Sequence, residues 1–241
     1  MSPRGDGPRD GERAERGAAV LPQRLVVRLL PVFAAAAGSL DAVCVTHFGG
    51  VFASVITGNL VQLGRAVAAP DGRLAVGATV AVGCYALGVA GGTAGLGRRG
   101  AGWHRRASLV AAAELALLAG VAAGWLATDG RPDARTTSLL LALAAAAMGM
   151  QSAITIGSGV QGASTTYLTG ALTGLVRGLT GEPHRFAADA AARVGAFLCG
   201  ATAGALLLRF ASSWAPILPV ALVGLAVVIA AASTGARVER S

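Results

Sequence analysis

The sequence predicts an all-α fold: a polytopic membrane bundle of about six transmembrane helices with two short re-entrant or broken segments. Three observations predict it. Of the 241 residues, 54% are hydrophobic and only 13% are charged, whereas a soluble domain has about a quarter charged residues. The charges cluster between apolar stretches, most of which are long. Two of the apolar stretches are shorter and contain several polar side chains. Together these features exclude an ordinary soluble protein and are typical of a membrane protein with many loops.

The apolar stretches define the elements in order. Six are long enough for a crossing helix, which needs about 20 residues: 25–48, 74–97, 107–127, 136–157, 186–208 and 214–236. The other two, 51–64 and 163–176, are shorter and rich in hydroxyl or amide side chains. Apolar stretches of about 10–14 residues are more often re-entrant or interfacial. We therefore expect six crossings, with eight as the alternative.

The two ends of the chain differ from the membrane body. Residues 1–23 are rich in Arg, Asp, Glu, Gly and Pro and predict a disordered cytoplasmic tail. Residues 237–241 predict a second cytoplasmic tail. All 20 basic residues are arginine, and they lie in short clusters rather than on one face with base-reading residues. The expected partner is therefore the lipid bilayer and not nucleic acid.

The membrane body predicts two internal repeats, 24–127 and 128–236. A shift of 110 residues places Asp41 on Gln151, and a shift of 112 superposes a later set of threonines and glycines. That set pairs Thr57 and Gly58 with Thr169 and Gly170, and Gly88 and Gly92 with Gly200 and Gly204. Agreement in the same order along the chain favours a duplication.

The number of crossings decides how the repeats are related. Three crossings per half invert the second half in the membrane, and four make the halves parallel. Arginine totals fit both arrangements equally. We prefer the inverted one, because eight crossings would export the four arginines between residues 98 and 106, against the positive-inside rule.

Pairs of glycines four residues apart predict close helix contacts. Gly88 and Gly92 lie on one helix face, as do Gly200 and Gly204, and such faces let backbones approach. The matched pairs predict that the third and seventh segments meet. Exposed faces of small residues are also compatible with a homodimer.

Asp41 is the most informative polar residue. It lies deep in an apolar stretch, where a carboxylate is costly and usually faces a bundle interior or a wet cavity. Two interpretations stay open. Asp41 is either a proton- or cation-coupling group, or a structural carboxyl that hydrogen-bonds a broken backbone.

The two short segments supply the other candidate site residues. A re-entrant segment leaves backbone groups that protein or water must satisfy. The candidates on these segments are Thr57, Gly58, Asn59, Thr169 and Gly170. They either cap the broken helices or contact a ligand at a central site where the segments approach each other. Gln151 is a further candidate, because the predicted repeat aligns it with Asp41.

Three further charged residues lie within the apolar stretches. Glu114 is a second intramembrane acid and a candidate for an ion pathway. Asp189 and Arg193 are four residues apart, which favours a local surface ion pair, with Glu114 or Asp41 as other possible partners of Arg193. No nucleophile, metal-ligand or nucleotide-binding pattern appears. We therefore expect no enzyme, no metal and no cofactor.

Four motifs resemble the YoaK-like family of bacterial integral membrane proteins, a family of unknown function. They are GSLDAV (38–43), ITGNLVQLG (56–64), MGMQSA (148–153) and YLTGALTGL (167–175). The resemblance covers the chain after residue 28. It picks out Gly38, Asp41, Ala42, Thr57, Gly58, Asn59, Gly64, Gln151, Thr169, Gly170 and Thr173. The family pattern has Asn where this chain has Ser152, which puts an amide ligand there in doubt.

The resemblance implies a multi-pass protein of the bacterial inner membrane. With the repeat, the paired short segments and the buried acid, it favours a small secondary transporter or channel-like protein for an unidentified small solute. The alternative is a non-transporting membrane scaffold or accessory subunit, whose polar residues only hold helices together.

Overall fold

The computed structural model describes residues 21–97, 101–160, 164–165, 168–180 and 187–238. The predicted tails lie largely outside these residues. The described part contains eight α-helices and one 3₁₀ turn. The helices are α1 (Gln23–His47), α2 (Ile56–Ala68), α3 (Gly72–Leu96), α4 (Arg105–Ala127), α5 (Ala134–Gly157), α6 (Leu168–Leu179), α7 (Ala187–Phe210) and α8 (Ile217–Val238), with the 3₁₀ turn at Ser212–Trp214 before α8.

Six of the described helices, all except α2 and α6, are long and apolar enough to cross a membrane. The exceptions have 13 and 12 residues. At 1.5 Å per residue each is about 20 Å long, short of a hydrocarbon core about 30 Å thick. The predicted all-α membrane bundle with six long apolar helices and two short ones is confirmed.

Contacts between helix ends determine the directions of α1 and α4. Before α1, the Leu21 amide donates to the carbonyl of Trp103, just before α4, at 2.9 Å. At the other end of α1, the His47 ring packs edge-on against Trp125, near the end of α4, with ring centroids 5.1 Å apart. The two helices therefore run in the same direction. We call the two ends of the bundle the Trp103 end and the Trp125 end.

The remaining long helices take their directions from these two. The Gly102 amide donates to the Gly157 carbonyl, so α5 ends at the Trp103 end. Only residues 97–104 separate α3 from α4, so α3 ends there too. Trp125 Nε1 donates to the Ser212 carbonyl at 3.0 Å, which places the end of α7 at the Trp125 end. Thus α1, α4 and α7 run one way, and α3, α5 and α8 run the other way.

The short helices lie at opposite ends of the bundle. Since α1 ends and α3 begins at the Trp125 end, residues 48–71 enter and leave there, with α2 among them. Since α5 ends and α7 begins at the Trp103 end, α6 belongs to that end. The three long helices of the second half run opposite to their counterparts in the first, as an inverted arrangement requires. The sequence duplication itself stays a prediction.

Two helix pairs pack through glycine faces. A Cβ on Gly200 would overlap the backbone of Ala35, and one on Gly88 would overlap the backbone of Ala146. The most extensive contacts in the bundle are accordingly α1 with α7 and α3 with α5. The sequence predicted that α3 and α7 meet, and this is corrected: each packs against a central helix of the other half. Spacing along a helix defines a face but not its partner.

Helices α1 and α5 form the centre of the bundle. Of their most apolar 18-residue windows, 67% is buried, against 17–39% for the other four long helices. Asp41 lies on α1 and Gln151 on α5, so both polar residues belong to the two most enclosed helices.

At the surface, Asp133 caps the start of α5, and hydrogen bonds from Thr136 hold the pKa of this exposed carboxyl below its ordinary value.

Candidate functional site

The chain turns back into the bundle directly after α1. Gly49 and Gly50 have φ angles of +89° and +78°, a backbone conformation that glycine adopts without steric cost. Residues 51–54 then run beside the last turns of α1, and α2 starts at Ile56. This return places backbone amides of the non-helical residues 51–54 next to Asp41.

The Asp41 carboxylate binds these amides. Oδ1 accepts from the amides of Ala53 at 2.7 Å and Ser54 at 2.9 Å, and Oδ2 accepts from the Ser54 hydroxyl at 2.5 Å. Asp41 is only 4% exposed. The residue that precedes α2, Val55, offers no side-chain cap, so a carboxylate from α1 supplies the acceptors and the negative charge that a helix N-terminus favours.

Asn59 and Gln62 hold the same segment from the other side. Asn59 Oδ1 accepts from the Phe52 amide at 2.8 Å, and its Nδ2 donates to the Phe52 carbonyl at 2.7 Å. Gln62 Nε2 donates to the Gly50 carbonyl at 3.1 Å. We call Asp41, Ser54, Asn59 and Gln62 the Asp41 bracket. Its side-chain hydrogen bonds go to the re-entrant backbone and to Ser54, except that Gln62 Oε1 accepts from the Arg65 guanidinium.

The threonines of the short segments lie elsewhere. Thr57 is exposed, and so are Thr169 and Gly170 on α6. Gly58 faces the Phe52 ring, whose carbons would lie 3.3 Å from a Cβ. Helices α2 and α6 belong to opposite ends of the bundle, and their most extensive contacts are with α3 and α7 respectively. The central site between the two short segments stays a prediction. The many hydroxyl side chains identified the two short segments in the sequence, but they did not predict where these side chains lie in the fold.

Gln151 ties the second half together. Its buried Nε2 donates to the Phe33 carbonyl on α1 at 3.2 Å and to Thr165 Oγ1, just before α6, at 2.8 Å. Its Oε1 is buried and has no hydrogen-bond partner among the described residues. Gln151 thus links α1, α5 and the chain that leads into α6.

The glycine contacts relate the two halves by a register that differs by one residue from the predicted pairing of Asp41. A Cβ on Gly38 would overlap a backbone carbonyl of α7, and one on Gly149 would overlap a carbonyl of α3. Gly149 follows Gly38 by 111 residues. On this contact register Ser152, which shares a 2.7 Å hydrogen bond with Tyr85 on α3, takes the place that Asp41 has on α1. The duplication that pairs Asp41 with Gln151 stays a prediction.

Glu114 is a fully buried carboxyl. It is 0% exposed, and neither of its oxygens has a hydrogen-bond partner in the described part of the chain. Its helix, α4, packs on α5, α8 and α3. The sequence identified Glu114 as an intramembrane acid. Only the structure shows that its carboxyl oxygens accept no hydrogen bond from the described residues around them.

Arg193 is buried as well, which corrects the predicted surface ion pair. The side chain is 3% exposed, and its Nε and Nη1 have no hydrogen-bond partner among the described residues. Asp189 lies near enough to act on it electrostatically, without a hydrogen bond to these two nitrogens. The four-residue spacing was correct for proximity but not for exposure.

A groove of about 260 Å³ opens at the Trp103 end between α3 and α5. Its wall is mostly apolar and carries Thr93 and His104, and the other lining residues are Val89, Leu96, Gly97, Ala153, Ile156 and Gly157. Sequence reasoning did not find this groove, because an isolated histidine and an isolated threonine carry no spacing signal.

A family model matches residues 29–229, and its description is "Protein of unknown function (DUF1275)". The chain belongs to this family. The match covers every described long helix in whole or in large part, including Asp41, Glu114 and Arg193, and YoaK-like membership is consistent with it. No curated protein and no solved structure matches the chain. The match gives the family, and the six long apolar helices give the membrane class.

Proposed function

We propose that this DUF1275 member is a small secondary transporter or channel-like protein for a small solute, without enzymatic activity. The observation that carries the proposal is the pair of short segments at opposite ends, each tied by a buried polar side chain to a central helix. Non-helical backbone at membrane depth is tolerated where it is buried in protein or lines a wet cavity. Transporters place solute and coupling-ion sites beside such broken segments.

Asp41 is the proposed coupling residue. The carboxylate accepts three hydrogen bonds from the start of the re-entrant segment. A proton on Oδ2 would turn that oxygen into a donor toward Ser54 Oγ, while Oδ1 still accepts from the two amides. Proton loading would therefore weaken the hold on the segment without releasing it, which gives a proton a means of moving α2.

Solute flux into proteoliposomes tests the proposal. Small carboxylates, phosphate, amino acids and sugars are offered in turn, and a pH-sensitive dye inside the vesicles reports coupled proton movement. Wild type is expected to move one class, and Asp41→Asn to lose the coupling. Ser54→Ala is the matched control, since it perturbs the same bracket but keeps the ionisable group. Unchanged coupled flux in folded Asp41→Asn would remove Asp41 from the mechanism.

A scaffold or accessory subunit is the second candidate. It is favoured by the Asp41 bracket itself, because the hydrogen bonds of Asp41 and Asn59 go to residues 52–54. On this hypothesis Asp41→Asn lowers stability and Thr57→Val, at an exposed position, lowers recovery of a partner, with no flux in any variant. Cysteines at Thr93 and Ala153, in the groove, discriminate further: a solute pathway admits water-soluble thiol reagents from the Trp103 end.

We also propose a bacterial inner-membrane location with both termini in the cytoplasm. Arg24 and Arg28 begin α1, and Arg105 and Arg106 begin α4, so this cluster supports a cytoplasmic Trp103 end under the positive-inside rule. A homodimer is proposed from the exposed small-residue faces, and light scattering of the detergent-purified protein tests it.

A further inference from the structure

Among the described residues, Arg193 has no counter-ion within hydrogen-bonding distance of its buried Nε and Nη1. Nε and Nη1 are both buried without a hydrogen-bond partner in the described part of the chain, and Arg193 is 3% exposed. A charge in a membrane helix normally pairs with another charge, with backbone carbonyls or with water in a cavity. A guanidinium carries five donors in a planar fork that matches carboxylate and phosphate oxygens. Its unused donors therefore point to a ligand that has such oxygens.

The position of Arg193 is a packing position. Ala190, Arg193, Phe197, Gly200 and Gly204 follow one another at intervals of three and four residues, so they form a single stripe along α7. The backbones of Phe197, Gly200 and Gly204 contact α1, and Ala190 is buried one turn before Arg193. The Arg193 side chain therefore starts on the face of α7 that points to the bundle interior and not to lipid.

Packing does not require an arginine here. The equivalent stripe on α3 is related by 112 residues, since Gly88 and Gly200 make the same backbone contact on their respective partners. On that register the counterpart of Arg193 is Ala81, which is 0% exposed. A methyl group fills the place on α3, so the long cation on α7 adds a charge that helix packing does not need.

The charged neighbours do not neutralise Arg193. Its helix packs against α1 and α6. Because α1 and α7 are parallel and Gly200 meets Ala35, Arg193, seven residues before Gly200, is level with Arg28. Helix α6 carries Arg177 in its last turn. Asp189 is the acidic side chain, among the described residues, that acts electrostatically on Arg193. Around this part of the Trp103 end, cations exceed anions among the described residues.

We propose that Arg193 is the binding residue of an oxyanion site inside the second half of the bundle. The ligand is a carboxylate or phosphate-type group, held by charge-assisted hydrogen bonds from Nε–H and Nη1–H, which supply direction as well as charge. Two sources share this chemistry: a free small anion and the phosphate of an anionic lipid headgroup. The inference rests on the proposed function in one respect: if the ligand is a free anion, that anion is the transported solute.

Thermal unfolding of the full chain in neutral detergent tests the site. Acetate and inorganic phosphate are titrated against chloride at constant ionic strength, and short-chain phosphatidylglycerol against phosphatidylcholine. We expect one of these oxyanions to raise the midpoint of wild type saturably. Arg193→Gln should increase the apparent Kd by about ten- to hundredfold, the loss expected for charge-assisted hydrogen bonds. Arg209→Gln, an exposed arginine on the same helix, is the matched control and should behave as wild type.

The stability of the ligand-free variants separates binding from structure. Removing a buried cation without a partner among the described residues should leave the midpoint of Arg193→Gln equal to that of wild type or higher in buffer whose anion is chloride. Arg193→Lys keeps the charge but loses the fork, so it should bind with intermediate affinity. Stabilisation by free anions assigns the site to a solute, and stabilisation by phosphatidylglycerol alone assigns it to lipid. No saturable stabilisation, or equal stabilisation of Arg193→Gln, would overturn the oxyanion site.

Binding and flux together distinguish the two proposals. Oxyanion binding that depends on Arg193, without flux of any offered solute, would leave the site standing and remove the transporter. Flux of a neutral or cationic solute, without oxyanion binding, would keep the transporter and remove the site.

Discussion

Asp41 and Ser54 are joined by two hydrogen bonds across the re-entrant turn, one from the Ser54 amide at 2.9 Å and one from its hydroxyl at 2.5 Å. The pair lies 13 residues apart in sequence and fastens the beginning of the short segment to the most buried part of α1. Both oxygens of the Asp41 carboxylate are therefore occupied by the re-entrant segment, Oδ1 by two backbone amides and Oδ2 by the Ser54 hydroxyl.

The Asp41–Ser54 pair leads to the first prediction. Asp41→Asn should lower the free energy of unfolding by about 1.5–3 kcal/mol. The amides of Ala53 and Ser54 would then donate to a neutral amide oxygen, and the Ser54 hydroxyl would lose its charged acceptor. Ser54→Ala removes only the hydroxyl and should cost about 1 kcal/mol. Equilibrium unfolding in detergent and SDS mixtures measures both. Equal losses in the two variants would contradict a dominant role for the carboxylate.

Glycine packing gives a prediction with an internal control. A Cβ at Gly200 would overlap the Ala35 backbone, whereas a Cβ at Gly195, on the same helix, meets nothing within 4 Å. Gly200→Ala should therefore destabilise by about 1–3 kcal/mol, as overpacking does. Gly195→Ala should stabilise by about 0.5–1 kcal/mol through the helix preference of alanine. Opposite signs in the same unfolding assay are the required result.

Glu114 predicts a gain in stability upon substitution. Both carboxyl oxygens are buried and unpartnered in the described part of the chain, and a buried polar group without hydrogen bonds costs about 1–3 kcal/mol. Glu114→Met, of similar length, should raise the free energy of unfolding by an amount in that range. Glu114→Gln, which keeps an unpaired polar group, should not.

The same Glu114 variants test its predicted place on an ion pathway. If the acid is retained for function, Glu114→Met should reduce coupled flux in proteoliposomes while unfolding becomes harder. A destabilised Glu114→Met would mean instead that the carboxyl has a partner.

The directions of the helices predict which loops share a side of the membrane. In a variant without Cys44, Cys84 and Cys199, a single cysteine at Ala69 should react with an impermeant thiol reagent from outside the cell. One at Ala101 should react only from the cytoplasm. Residues 48–71 lie at the Trp125 end and Ala101 at the Trp103 end, so labelling of both from one side would contradict the six-crossing arrangement.

The sequence by itself determined the class of the protein, the six long spans, the two short segments and the position of Asp41 deep within an apolar helix. These follow from properties that a chain carries locally. Length and apolar content set whether a helix can cross a bilayer, and a charge within such a stretch is costly wherever the helix packs. For the same reason Glu114 could be identified before its surroundings were known.

Only the tertiary structure decided which groups meet. The donors to Asp41 come from Ala53 and Ser54, beyond a turn, and the face of Gly200 packs on α1 and not on α3. Neither partner follows from spacing, because periodicity fixes the face of a helix while the path of the chain fixes what that face contacts. Arg193 shows the same limit: its four-residue distance from Asp189 predicted a surface ion pair, whereas the folded chain buries Arg193.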